Sequence, residues 1–181
     1  DGWCFGVGEN WQVAGGADHA SAKRAAFLQD ADWDSIAELV SSAICSSQER
    51  VEAMLCLTAF HDIMKVPGLC PIVCREHAPY RGYTAGTVIH DHDLALAYVL
   101  EHFPELLPSY RILPAEMQRV VLFTQGKMEF NHGWFVQAEA PPGPMLRQLR
   151  SVLADARSAD LAFYFLHWLT DLSGAEGRPL A

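Results

Sequence analysis

Residues 54–66 read Met-Leu-Cys-Leu-Thr-Ala-Phe-His-Asp-Ile-Met-Lys-Val, an almost wholly apolar run with the pair His61-Asp62 set inside it. Such a run must be buried along much of its length. An ionised carboxylate taken into a low-dielectric interior costs several kcal/mol unless it is paired, hydrogen-bonded or bound to a metal. Any fold this chain adopts must therefore bring a compensating group to Asp62, and the neighbouring imidazole points to a metal. The chain also offers His90-Asp91-His92-Asp93, His132, and His167 with Asp171 in a late apolar run. That is enough N and O donors for one or two divalent ions, with Mn, Fe, Co, Mg and Zn all open.

The apolar period is helical over most of the chain. Residues 1–18, glycine-rich among aromatics, read as an irregular leader, and 19–181 as one helical domain. The period predicts helices near 19–30, 33–45 and 48–66, with Ser46-x-x-Glu49 as a capping box for the third and Pro67-Gly68 as its stop. Residues 67–88, rich in Pro and Gly, form a loop long enough to wall a site. Further helices are expected at about 91–103, from Pro114 as first residue to 125, at 145–156, and at 159–172 with Ser158 as cap and Gly174 as stop. Only 134–138 could be a strand, so the fold class is all-α.

Composition narrows the function. In 181 residues, half of them hydrophobic, 13 Lys and Arg face 22 Asp and Glu for a net charge of −9. No dense basic run could neutralise a row of phosphates, which argues against nucleic acid. A small anionic substrate remains compatible, because a few cations in a pocket reverse the local field. No stretch of about 18 uncharged apolar residues occurs, so no membrane span is expected. The five cysteines, Cys4, Cys45, Cys56, Cys70 and Cys74, show no disulfide spacing and suit a reducing, cytoplasmic setting. A chain beginning with Asp is consistent with a piece of a larger protein whose other domains or targeting segment lie outside it.

Within the last helix His167 and Asp171 are four residues apart and share a face. A nearby cation would offset the unfavourable position of Asp171 in the helix's last turn. At 90–93, Asp91 or Asp93 can cap the following helix, and either His90 or His92 can turn toward a metal.

Phe60-His61-Asp62-Ile63-Met64-Lys65 resembles the apolar HDxxK signature of the HD-domain superfamily of metal-dependent phosphohydrolases, and the likeness extends over about residues 48–172. The resemblance implies an HD-like helical bundle. It makes His61, Asp62 and Asp171 metal ligands, with His92 or His90 and His132 as ligands of a second ion. Lys65 would then face the substrate phosphate, and Arg75 and Arg81, in the long loop, are further candidates to neutralise it. The family's first metal histidine normally lies one helix upstream, whereas residues 20–60 contain no histidine: either the site is incomplete, or His167 substitutes, or the domain has lost catalysis and kept its scaffold. The order HDxxKV, His-Asp before a Tyr-Val-Leu helix, then Leu-Pro-x-Glu is also similar to the inositol oxygenase branch, which holds a di-iron centre. Hydrolysis of a small phosphoester is thus the expected activity. A di-iron oxygenase, or a non-catalytic interaction module using Trp3, Trp11 and Trp33, stands beside it.

Overall fold

Three of the described helices begin behind a side chain that accepts their first free backbone N–H groups. In the computed structural model, which describes residues 32–126, 143–154 and 156–175, α1 (Trp33–Ile44) starts behind Asp32, whose carboxylate accepts from the Ser35 N–H at 3.0 Å. Helix α2 (Gln48–Phe60) starts behind Ser47, which accepts from the Arg50 N–H at 3.3 Å; the cap is one residue later than the Ser46 expected. Asp91 caps α3 (His92–His102) by accepting from the N–H groups of both Asp93 and Leu94. After the short α4 (Pro108–Arg111) come α5 (Ala115–Gly126), α6 (Gly143–Ala154) and α7 (Ser158–Ala175). Pro114 stands just outside α5, its carbonyl receiving the Met117 and Gln118 N–H groups. Arg157, not Ser158, offers the first carbonyl of α7, and Gly174 lies within that helix rather than ending it.

The largest departure from the periodicity is at the end of α2. The helix was expected to run to 66 but closes at Phe60, and His61 is its C-cap. Asp62 leaves helical geometry at φ −95°, ψ 2°, and a 3₁₀ turn, Ile63–Lys65, follows. Pro67 bars the preceding residue from the α region, and Val66 is extended at φ −82°, ψ 109°; this accounts for where the 3₁₀ turn ends, not for the close of α2 at Phe60. The tightened turn keeps the backbone paired through Lys65 N–H to Asp62 O and Val66 N–H to Ile63 O.

Helix α7 lies along α1 and packs on α2 and α5; α3 packs on α5 and on the turn that follows Asp62. The shared core includes Leu57, Leu96, Tyr98, Val120, Val121 and Phe163, all buried. Six consecutive buried residues, Ala95–Leu100, make α3 the central element. Removing one such side chain, Leu57→Ala for example, costs about 2–5 kcal/mol through lost burial and the cavity left.

The segment 67–88 is tied down rather than open. Bridges join Ile72 to Val88 and Tyr80 to Tyr83, and these isolated bridges stand in place of a sheet among the described residues. Val73 and Ile89 are buried, and the Cys74 N–H donates to the Tyr98 hydroxyl on α3 at 2.8 Å. The leader, the 19–30 helix and the 134–138 strand lie outside the described residues. No described helix is long and apolar enough to cross a membrane.

Candidate metal centre

The C-terminal end of α2 and the last turns of α7 meet at His61, Asp62 and Asp171. One ligand atom from each lies within 4.8 Å of the others. Donors on opposite sides of one ion are about 4 Å apart when each bond is about 2.1 Å, and both His61 separations fall inside that span. His61 Nε2 is 2.9 Å from Asp171 Oδ1 and 3.6 Å from Asp62 Oδ2. Its Nδ1 donates to the Thr58 carbonyl at 2.9 Å. A carbonyl can only accept, so that contact puts the Nδ1 hydrogen there and leaves Nε2 to face the carboxylates, where a cation could replace a proton.

Two further groups reach the same carboxylate. His92, the first residue of α3, holds Nε2 3.9 Å from Asp62 Oδ1 and 3.6 Å from Asp93 Oδ1. Asp91, His92 and Asp93 also form a close group of potential ligands. In that group, however, Asp91 is engaged as helix cap and Asp93 accepts from the Gln125 amide at 3.0 Å. Lys65 donates to Asp62 Oδ2 at 2.7 Å. Partial burial raises the Asp62 pKa, but the Lys65 hydrogen bond and the charges of His61, Lys65 and His92 outweigh it and hold the group below the ordinary carboxylate value. The same bond raises the Lys65 pKa.

His167 stands one turn before Asp171, buried, with its ring edge-on to His61 at 5.1 Å between centroids. The structure therefore brings His61, Asp62, Lys65, His92, His167 and Asp171 into one neighbourhood. It separates the alternatives at 90–93, since His90 is exposed and outside both ligand groups. His132 lies outside the described residues.

The two loop arginines are placed elsewhere. Arg81 pairs with Glu101 at 3.7 Å and lies over the Tyr80 ring, at the C-terminal end of α3. Glu101 is nine residues along α3 from His92, about 13 Å at the helical rise. Arg75 is exposed in a 3₁₀ turn, Arg75–His77, whose His77 ring stacks on His102 at the same end. Loop membership alone had nominated both residues, and loop membership does not say which way a chain folds back. Trp33 is exposed at the start of α1.

Three contacts were not read from the sequence: the Thr58 carbonyl on His61, the Gln125 amide on Asp93, and the Lys65 ammonium on Asp62, although Lys65 itself was singled out there. Of these only Lys65 was foreseeable, as the residue three positions after Asp62 in a turn that ends before proline. No family model, curated protein or solved structure matches the chain.

Proposed function

We propose that the chain is a metal-dependent phosphohydrolase of the HD type acting on a small phosphoester. The observation that carries this reading is the convergence of His61 and Asp62, at the end of α2, with Asp171, which is 110 residues from His61, the imidazole being oriented by a backbone carbonyl. The donor set suits the group: one oriented imidazole and two carboxylates, with His92 and His167 adjacent, match divalent ions such as Mn²⁺, Fe²⁺, Co²⁺ or Zn²⁺. When bound, such an ion supplies a polarised phosphoryl oxygen and a bound water whose pKa falls toward neutrality.

The chain's own residues would do the rest. Asp62 and Asp171 hold the cation, and Thr58 keeps His61 turned toward it. Lys65, half-exposed on the adjoining turn, presents an ammonium to the phosphate. Arg75 and Arg81 are not assigned to the phosphate, given where they sit.

One observation favours a non-catalytic scaffold as the second reading. His61 with Asp171, and Lys65 with Asp62, already satisfy one another in pairs, and residues 20–60 supply no further histidine. The experiment that decides is metal analysis of protein purified without chelator, followed by a screen of metal-loaded protein against phosphomonoesters and phosphodiesters. Metal-dependent hydrolysis lost in both Asp62→Ala and Asp171→Ala supports the proposal; hydrolysis surviving in both overturns it. Oxygen uptake with polyols would move the assignment to the oxygenase branch. Absence of bound metal and of turnover would leave the scaffold.

A further inference from the structure

Asp62 Oδ2 faces two cation positions at once. On one side is the proposed metal centre, with His61 Nε2 3.6 Å away; on the other is the Lys65 ammonium, at 2.7 Å. The 3₁₀ turn accounts for the second contact. Lys65 follows Asp62 by three residues, the Lys65 N–H bonds to the Asp62 carbonyl at 2.9 Å, and residues so spaced in a 3₁₀ turn lie one above the other. Asp171 and Asp93 also attract the ammonium. Its side chain is 56% exposed, so it can swing outward into solvent without disturbing the core.

An ion bonded to Asp62 Oδ2 at about 2.1 Å and an ammonium on the same oxygen would lie less than about 5 Å apart. A dication and an ammonium that close repel more strongly than an exposed lysine–carboxylate pair attracts. We infer that Lys65 is a built-in competitor of the metal, holding the Asp62 carboxylate until a divalent ion displaces it. The inference rests on the metal centre proposed above and adds an order of events: the ion loads first, and its loading frees the ammonium for an arriving phosphate. The lysine thereby keeps the metal-free protein neutralised at Asp62 and withholds its phosphate contact until the site is charged.

The test uses Mn²⁺ alone as the probe, titrated calorimetrically into wild type, Lys65→Met and Lys65→Arg. Methionine keeps most of the apolar stem and removes the charge; arginine keeps the charge. The methionine variant should bind Mn²⁺ roughly three- to tenfold more tightly than wild type, and the arginine variant no more tightly. In parallel, amine acetylation of wild-type Lys65, read by mass spectrometry against Lys23 as reference, should increase when Mn²⁺ is bound. Equal or weaker binding by the methionine variant overturns the inference while leaving the metal centre standing. Tighter binding with unchanged acetylation also overturns it, because the gain is then a general charge effect without displacement. Failure of wild type and both variants to bind Mn²⁺ overturns the metal centre and this inference together.

Discussion

At His61 a single backbone carbonyl settles which nitrogen faces the carboxylates, and Asp171 is the group it faces. Asp171→Asn keeps the shape and removes the charge. We expect it to weaken Mn²⁺ binding more than roughly tenfold, since an amide oxygen is a poorer ligand for a dication than a carboxylate. Circular dichroism should remain helical, because the Asp171 side chain is 37% exposed and outside the core. Undiminished Mn²⁺ affinity in calorimetry would remove Asp171 from the centre. The meeting of His61, Asp62 and Asp171 was legible as a pairing of ionisable groups, although burial does not enforce it, the two carboxylates being 42% and 37% exposed. The choice between His90 and His92 was not. It turns on the helix starting at residue 92 behind the Asp91 cap, and two imidazoles two residues apart carry no mark of which one that start engages. Arg81 was misplaced for a related reason. Its φ of +44° sits in the tight Tyr80–Tyr83 turn, and that reversal sends the guanidinium to Glu101.

Between elements, a buried polar tie is centred on Asp160, at the start of α7. The carboxylate is buried, accepting from Arg50 of α2 at 3.4 Å and from Arg119 of α5 at 2.7 Å. Arg50 is buried as well; it also donates to the Ala43 and Ala159 carbonyls and lies over the Phe163 ring. One residue thus holds three helices around the end of the bundle away from the metal centre. Asp160→Asn leaves the Arg50 charge buried without its counter-ion, a loss of about 3 kcal/mol, at the low end for a broken buried pair because two carbonyls remain. Chemical denaturation should show this as a lower midpoint at unchanged slope. A change under about 0.5 kcal/mol would mean that Asp160 is dispensable to the packing. Nothing in the local pattern exposes this tie, because its partners are 110 and 41 residues distant. The described helices were legible from period and caps, but their ends were not: α2 closes at Phe60, well before the Pro67 that bounds the apolar run.

Over the whole molecule, acid should act in two opposing ways. A net charge of −9 at neutral pH falls toward zero near the pI of about 5.2, relieving self-repulsion. Against this stands the clasp that fastens segment 67–88 to α3. There the Tyr98 hydroxyl, which accepts from the Cys74 N–H, lies 2.8 Å from His77 Nδ1, and the His77 ring stacks on His102 at 3.8 Å between centroids. Burial first, and the neighbouring His77 second, lower the His102 pKa below its ordinary value; Glu101 opposes them. The unfolded chain therefore takes up this proton at a higher pH than the folded one. The stability tied to neutral His102 is complete above the unfolded value of about 6.5 and is lost as pH falls from there through the lowered folded value. Asp62, also held low, adds a loss that starts only below about 4, well clear of the first. His102→Phe keeps a planar ring for the stack and cannot titrate. Its melting temperature should fall less than that of wild type between pH 7 and pH 5, with the two profiles parallel above pH 7, as read by thermal unfolding in matched salt. The self-repulsion term is common to both proteins, so the difference between the profiles isolates the clasp. Parallel profiles over the whole range would show that His102 does not set the acid sensitivity of this fold.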